Sequence, residues 1–249
     1  MSWTVKQVKN LALKSSTLLV GLPGIANVGK VAVDFLIDEL KAQKCYDFSS
    51  DSFPHSVFIN EKNLIELPKI ELYHARAKDK DFLLLGGDVQ PPDERACYSF
   101  CREILEICQK QHCADIITLG GIGLQEPPEK PKVYISGNTR KSIEAYKEKN
   151  IHEELYGVVG PIIGVSGVLL GMAPKETRAV CLLAETYGHP LYLGIKGAKE
   201  LVKVLSKRFG FKVKLEKLEE EIAEMEKELQ RTEQLENVVQ KKGEVNYIG

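Results

Sequence analysis

From Gly24 to Lys30, within the segment GLPGIANVGKV, the chain reads G-x-x-x-x-G-K. That spacing offers consecutive backbone N–H groups to a phosphate while the lysine neutralises it. In a nucleotide hydrolase the next residue is Ser or Thr, whose hydroxyl holds Mg²⁺. Here it is Val31. Nor does an apolar strand run directly into a Walker B aspartate, since Asp88 follows two glycines, and Pro23 and Asn27 suit a tight turn as well as an anion cradle. Three readings stay open at this point. Gly21, Gly24 and Gly29 could serve only to turn a strand sharply into a closely packed helix. The helix N-terminus with Lys30 could hold an anion without hydrolysis. Nucleotide hydrolysis is the reading Val31 counts against.

Other polar candidates stand where apolar runs end. Asp88, Gln90, Glu126 and Glu185 could line a small-molecule pocket, with Gly120, Gly121 and Gly123 beside an anion. Each carboxylate also reads as a helix cap or a solvated loop charge. His55, His74, His112, His152 and His189 are scattered, so neither a Ser/His/Asp nor a Cys/His set emerges. Gly164-Val165-Ser166-Gly167 lacks the second spacer of a nucleophile elbow. Cys97, Cys101, Cys108, Cys113 and His112 could be read as metal ligands, but along one helix Cys97 and His112 would be about 22 Å apart. They read better as a core stripe, and neither a metal nor a cofactor is expected.

The elements that must position these residues follow from periodicity. STLLVG, a Pro/Gly loop and KVAVDFLIDELKAQ predict strand, turn and helix. HSVFIN, NLIELP and IELYHARA predict short strands in a meander or hairpin, and the continuous apolar run DFLLLGGD predicts a strand buried on both faces. Asp93 opens a helix through Gln111, striped by Cys97, Cys101, Ile104, Leu105 and Cys108. ADIITLGGIG and KVYISG read as strands, NTRKSIEAYKEKN as a helix capped near Asn138, and AKELVKVLSKRFG as another helix. Strands alternating with helices imply an α/β domain over residues 1–210, with a mostly parallel sheet, helices on both faces and a default ligand site at the strand C-terminal ends.

Residues 211–240 change character, with Leu215, Leu218, Ile222, Met225 and Leu229 spaced by three and four among Glu and Lys. This predicts a helical extension, either a short coiled coil or a helix lying on its own domain, followed by a flexible tail at 241–249. With 34 Lys and Arg against 35 Asp and Glu, and a net charge of -1, no bulk attraction to nucleic acid or anionic membrane is expected. The apolar runs fall short of a membrane span, and MSWTVKQVKN lacks the order of a signal peptide, so the expected compartment is the cytoplasm. Six cysteines set mostly within apolar segments fit that expectation.

GLPGIANVGKVAVDFL, DFLLLGGDVQP, DIITLGGIG and GPIIGVSGVLLGM, in that order, resemble the archaeal branch of the proteasome assembly chaperone 2 family over roughly Leu18 to Phe211. The resemblance implies an α/β fold related to the purine nucleoside phosphorylases. It also implies self-association into a homo-oligomer and an ATP-independent role at proteasome α subunits, with no catalytic signature. Because family members accept Arg or Lys at the position of Lys30, it makes GLPGIANVGK a family turn rather than a Walker A motif. Proteasome-binding proteins often end in a hydrophobic residue, tyrosine and any final residue. This chain ends Asn246, Tyr247, Ile248, Gly249, with the tyrosine one position earlier. Tyr247, Ile248 and Gly249 are the candidate partner-binding tail, and several such tails on one oligomer would gain avidity.

Overall fold

The structure is a computed structural model that describes residues 3–155, 160–190 and 192–224. Two compact units divide it, Met1–Val213 and Lys214–Gly249. In the second unit residues 216–224 are helical. The heptad positions from Met225 onward and the tail lie outside the described residues.

The first unit is built on a nine-stranded sheet. In chain order its elements are β1 (Thr4–Gln7), β2 (Ser16–Gly21), α1 (Val28–Glu39), β3 (Gln43–Ser49), β4 (Phe58–Ile59), β5 (Ile65–Glu66), β6 (Ile70–Ala77), β7 (Lys80–Gly87), α2 (Glu94–Lys110), β8 (Cys113–Leu124), β9 (Val133–Gly137), α3 (Arg140–Tyr146), β10 (Ile151–His152), α4 (Val165–Met172), β11 (Arg178–Tyr187) and α5 (Ile195–Phe209). Across the sheet the order is β1-β3-β6-β7-β2-β8-β11-β9-β10, while β4 and β5 pair only with each other.

The expected mostly parallel sheet is corrected to a mixed one. β7, β2, β8 and β11 run parallel at its centre, but β1-β3, β3-β6, β6-β7 and β11-β9 pair antiparallel. The cause is local at β6-β7. Only Lys78 and Asp79 separate the strands, both with positive φ (45° and 62°), and a two-residue turn of that hand can join only antiparallel strands.

Side chains alternate across the central strands, as a period of two requires. Leu18, Val20, Leu83, Leu85, Ile116 and Cys181 join one buried cluster with Phe100, Ile104 and Cys108 of α2 and Val165 and Leu169 of α4. The intervening Leu19, Leu84 and Ile117 are equally buried toward the opposite face, where α1 packs with α5. DFLLLGGD is therefore apolar throughout because both faces of β7 are covered.

Helix ends follow capping chemistry. The Asp93 side chain accepts a hydrogen bond from Ala96 N at 2.8 Å, as an N-cap should. At α3 the cap is Thr139 rather than Asn138, with Ser142 N donating to Thr139 Oγ1 at 3.1 Å. Asn138 instead donates to the carbonyls of Pro174 and Thr177 and so ties the α3 and α4 ends together.

One contact sets the position of α1. A Cβ on Gly29 would lie 2.2 Å from the Leu119 carbonyl oxygen, whereas a Cβ on Gly24 would meet nothing within 4 Å. Gly29→Ala gains helix propensity but forces helix and strand apart, so it should destabilise the protein by about 2 kcal/mol. Gly24→Ala should stay within about 0.5 kcal/mol of the parent. Thermal and denaturant unfolding of the two variants checks the contrast.

Candidate functional site

The loops at the C-terminal ends of β2, β7, β8 and β11 gather most of the residues singled out from the sequence. β2 ends at Gly21, where a Cβ would lie 2.1 Å from the Gly29 carbonyl oxygen, so the first turn of α1 doubles back directly over the strand it has just left. Between them Ile25–Asn27 forms a 3-10 turn, with Ala26 and Asn27 both left-handed (φ 47° and 54°). Such angles are costly outside glycine and persist only where the surroundings enforce them. Part of the enforcement is visible in Gly194 N, which donates to the Ala26 carbonyl at 2.7 Å.

Lys30 turns away from this loop. Its ammonium lies 2.8 Å from Asp34 Oδ2 and 3.8 Å from Asp88 Oδ1. Burial raises the Asp34 carboxyl above its ordinary range, against the lowering pull of Lys30. The recess around this group is lined by Asp34, Asp38, Glu66, Glu71 and Asp88 with Lys30 and Lys69, and Asp88 Oδ2 accepts from Lys69 N. Carboxylates in that majority oppose a phosphate electrostatically.

Gly24, Gly29, Gln90, Gly120 and Gly121 meet instead around a separate recess of about 290 Å³. Its walls are mainly apolar, from Leu22, Ile25, Leu119, Ile162, Ile163 and Leu183. Gln90 is its polar brace. The Gln90 amide donates to the Pro23 carbonyl at 2.7 Å, and Gln90 Oε1 accepts from Val165 N at 3.3 Å. The β2-α1 loop is thereby joined to the start of α4. Gly164 has φ +84°, and a Cβ there would lie 2.3 Å from Gln90 Oε1, so the brace needs glycine at that position. Ser166 lines the same recess, with no histidine or carboxylate among the described lining residues.

The other candidates stand apart. Asn27 sits in the left-handed turn without a side-chain capping bond. Gly123 packs against Gly188. Glu126 is exposed. Glu185 accepts from Tyr134 OH at 3.0 Å and Lys132 N at 2.9 Å, which commits it to holding β9 beside β11.

The sequence reading passed over a cluster at the opposite ends of the strands. Arg178 meets Asp115 through two bonds, at 2.6 and 2.7 Å, and Tyr146 OH donates to Asp115 at 2.8 Å. The Arg208 guanidinium lies 3.7 Å from the Tyr146 ring centroid and donates to the Ala145 carbonyl. Burial pushes the Tyr146 hydroxyl well above its ordinary value, and the Asp115 charge adds to it. A usable signal was present, because a charge stands immediately before the apolar run IITL and before AVCLL, and these charges, Asp115 and Arg178, are direct partners in the strand register.

The model of the PAC2 family matches residues 18–233. An uncharacterized protein of Methanocaldococcus jannaschii is 28% identical over 233 residues, 93% of this chain and 88% of that one. Among solved structures, Pyrococcus furiosus PbaB, described as an archaeal proteasome activator, is 29% identical with a TM-score of 0.83, covering 93% of this chain and 98% of that one. Pyrococcus furiosus PbaA, described as an archaeal homolog of proteasome-assembly chaperone, is 25% identical with a TM-score of 0.69, covering 94% and 99%.

Because Gln90 fixes the shape of the recess, Gln90→Ala should cost about 1–2 kcal/mol in denaturant unfolding. It should also speed amide hydrogen exchange at residues 162–166 relative to the sheet. Unchanged exchange there would mean that the loops hold their positions without the brace.

Proposed function

The chain belongs to the PAC2 family, and from that premise we propose that it is a non-enzymatic, homo-oligomeric assembly chaperone of the cytoplasm that binds proteasome α subunits. The contact is made partly through the C-terminal segment Tyr247, Ile248 and Gly249. The observation that carries the proteasome as partner is the likeness to PbaB, described as a proteasome activator, which extends over nearly the whole of both chains at 29% identity. The likeness to PbaA, described as a homolog of proteasome-assembly chaperone, supports the choice of an assembly role over activation.

The chemistry of the strand-end face supports a binding role. Its recess is walled by aliphatic side chains, and its one amide is used to brace two loops. Lys30, the cation that a phosphate would need, is engaged by two carboxylates. A sheet whose strand ends usually hold small ligands therefore presents a surface suited to apolar protein contacts.

Native mass spectrometry of the full chain mixed with archaeal proteasome α subunits tests the reading. A defined complex is expected, and removal of residues 241–249 should weaken it at least tenfold, about 1.4 kcal/mol, while leaving the unfolding temperature unchanged. If neither version forms a complex, the proteasome reading fails. A complex that ignores the deletion refutes only the role of the tail.

A further inference from the structure

The β4-β5 hairpin stands outside the main sheet and is unusually apolar for an exposed ribbon. Val57, Phe58, Ile59, Leu64, Ile65 and Leu67 are all exposed, with Ile59 and Ile65 at 72% and Leu67 at 73%. Phe58 and Ile59 are consecutive in a strand, so they point to opposite sides of the ribbon, and both sides are apolar. An isolated two-stranded hairpin is marginally stable in water. This one is held by a built turn. Asn60 Oδ1 accepts from Lys62 N and Leu64 N at 2.9 and 3.0 Å, the Asn60 amide donates to Glu66 at 2.7 Å, and Lys69 pairs with Glu66. Asn63 supplies the left-handed residue of the turn (φ 58°). The ribbon thus has a defined shape while presenting apolar side chains to water.

At these exposures the six side chains offer on the order of 600 Å² of apolar surface, at the upper end of what a monomer leaves open and most of the roughly 800 Å² that each partner gives to a stable interface. A second apolar surface lies at the same end of the sheet. β6, which the hairpin feeds, begins opposite the C-terminal end of β7, and the strand-end recess opens at the C-terminal ends of β2 and β8. Two exposed isoleucines belong to that recess, Ile25 and Ile163, the latter at 83%. Among the described residues, no charged side chain lines it. One surface is a projecting ribbon and the other a concavity of about 290 Å³, room for aliphatic side chains from the ribbon.

We propose that the hairpin of one copy seats in the strand-end recess of a second copy of this chain, in a head-to-tail contact. The recess is walled mainly by aliphatic side chains, the ribbon exposes six aliphatic or aromatic ones with its charges confined to the turn and the Glu66–Lys69 pair, and each chain carries both surfaces. Such a contact is heterologous, so it makes a ring where the rotation between copies closes. The inference rests on the reading of the chain as a homo-oligomer and assigns the surfaces that build it.

Complementation between two variants of the full chain tests it. Ile59→Lys combined with Ile65→Glu blocks the hairpin, and Ile163→Asp blocks the recess. All three side chains are exposed in the single chain, so far-UV circular dichroism and unfolding temperature should match the parent. By light scattering after size exclusion at about 50 μM, the parent should be an oligomer and each variant alone a monomer, a loss of affinity of at least a hundredfold. Mixed in equal amounts, the variants should give a dimer and nothing larger, because only one intact hairpin and one intact recess remain. A monomeric parent overturns the oligomer reading and this inference together. An oligomer that survives both variants overturns the interface alone and leaves the hairpin as a surface for another partner. Dissociation by the hairpin variant without effect of Ile163→Asp would show a symmetric hairpin-to-hairpin contact and overturn the head-to-tail arrangement. None of these outcomes depends on proteasome subunits, so failure to bind them leaves this inference standing.

Discussion

Carbonyl oxygens occupy the space where a Cβ would project from Gly21 and Gly29. Helix α1 consequently lies on the sheet backbone against backbone, closer than any side chain would allow. From that approach follows the shape of the strand-end face. The loop between β2 and α1 has only a few residues in which to reverse, so Ala26 and Asn27 take up left-handed angles and the Ala26 carbonyl is turned toward Gly194 N. A second close approach holds the other side, where Gly121 leaves no more than 2.7 Å between its would-be Cβ and the Ile25 carbonyl. Glycine is required at these points for packing, which accounts for their spacing without a phosphate.

The two ends of the parallel strands have opposite chemistry. At the N-terminal ends Asp115, Arg178, Tyr146 and Arg208 form a connected polar set around a cleft of about 620 Å³. Arg178 is half exposed, so its pair with Asp115 contributes less than a fully buried pair would. Its clearer role is to fix the register of β8 and β11, where a slip of one residue would separate the two charges. At the C-terminal ends, by contrast, aliphatic residues reach the surface and the charges are drawn aside into the recess around Lys30 and Asp88. This polarity gives the first unit one largely apolar end, and no helix among the described residues is long and apolar enough to cross a membrane.

How much of this could be read from the residues depends on the range of the interactions involved. The 3.6-residue stripe of α2 and the continuous apolar run of β7 report burial directly, and both elements form where their patterns place them. Lys78-Asp79 carried the antiparallel sense of β6-β7 but is a poor compositional match to the glycine-rich hairpin turns, so the sheet read as mostly parallel. Thr139 and Asn138 are both good N-caps, and a contact with residues 174–177, far along the chain, decides between them. The glycine and amide residues at the strand ends were legible because each sits where an apolar run stops. Their partners were not. Nothing local in GLPGIANVGK states that Lys30 turns toward Asp34 and Asp88, or that Gln90 reaches Pro23 across 67 positions of sequence. The exposed hairpin was equally hidden, since HSVFIN and NLIELP read as strands whether or not a sheet covers them.

In the proposed function, assembly and partner binding are linked by the strength expected of a short terminal contact. A contact made by so few residues as Tyr247, Ile248 and Gly249 would be weak, with a dissociation constant near the millimolar range, about 4 kcal/mol. Presented singly, such a segment would rarely be occupied. Copies fixed in one oligomer turn every contact after the first into an intramolecular event, at an effective concentration also near millimolar, and raise overall affinity by about 10²- to 10⁴-fold. The gain requires that tails be spaced to match repeated sites on the partner. A ring of proteasome α subunits is itself a repeated surface, so in the proposed function the symmetry of an oligomer and the weakness of each terminal contact would serve one selection. On that proposal an isolated α subunit would be held loosely and a correctly arranged set held well.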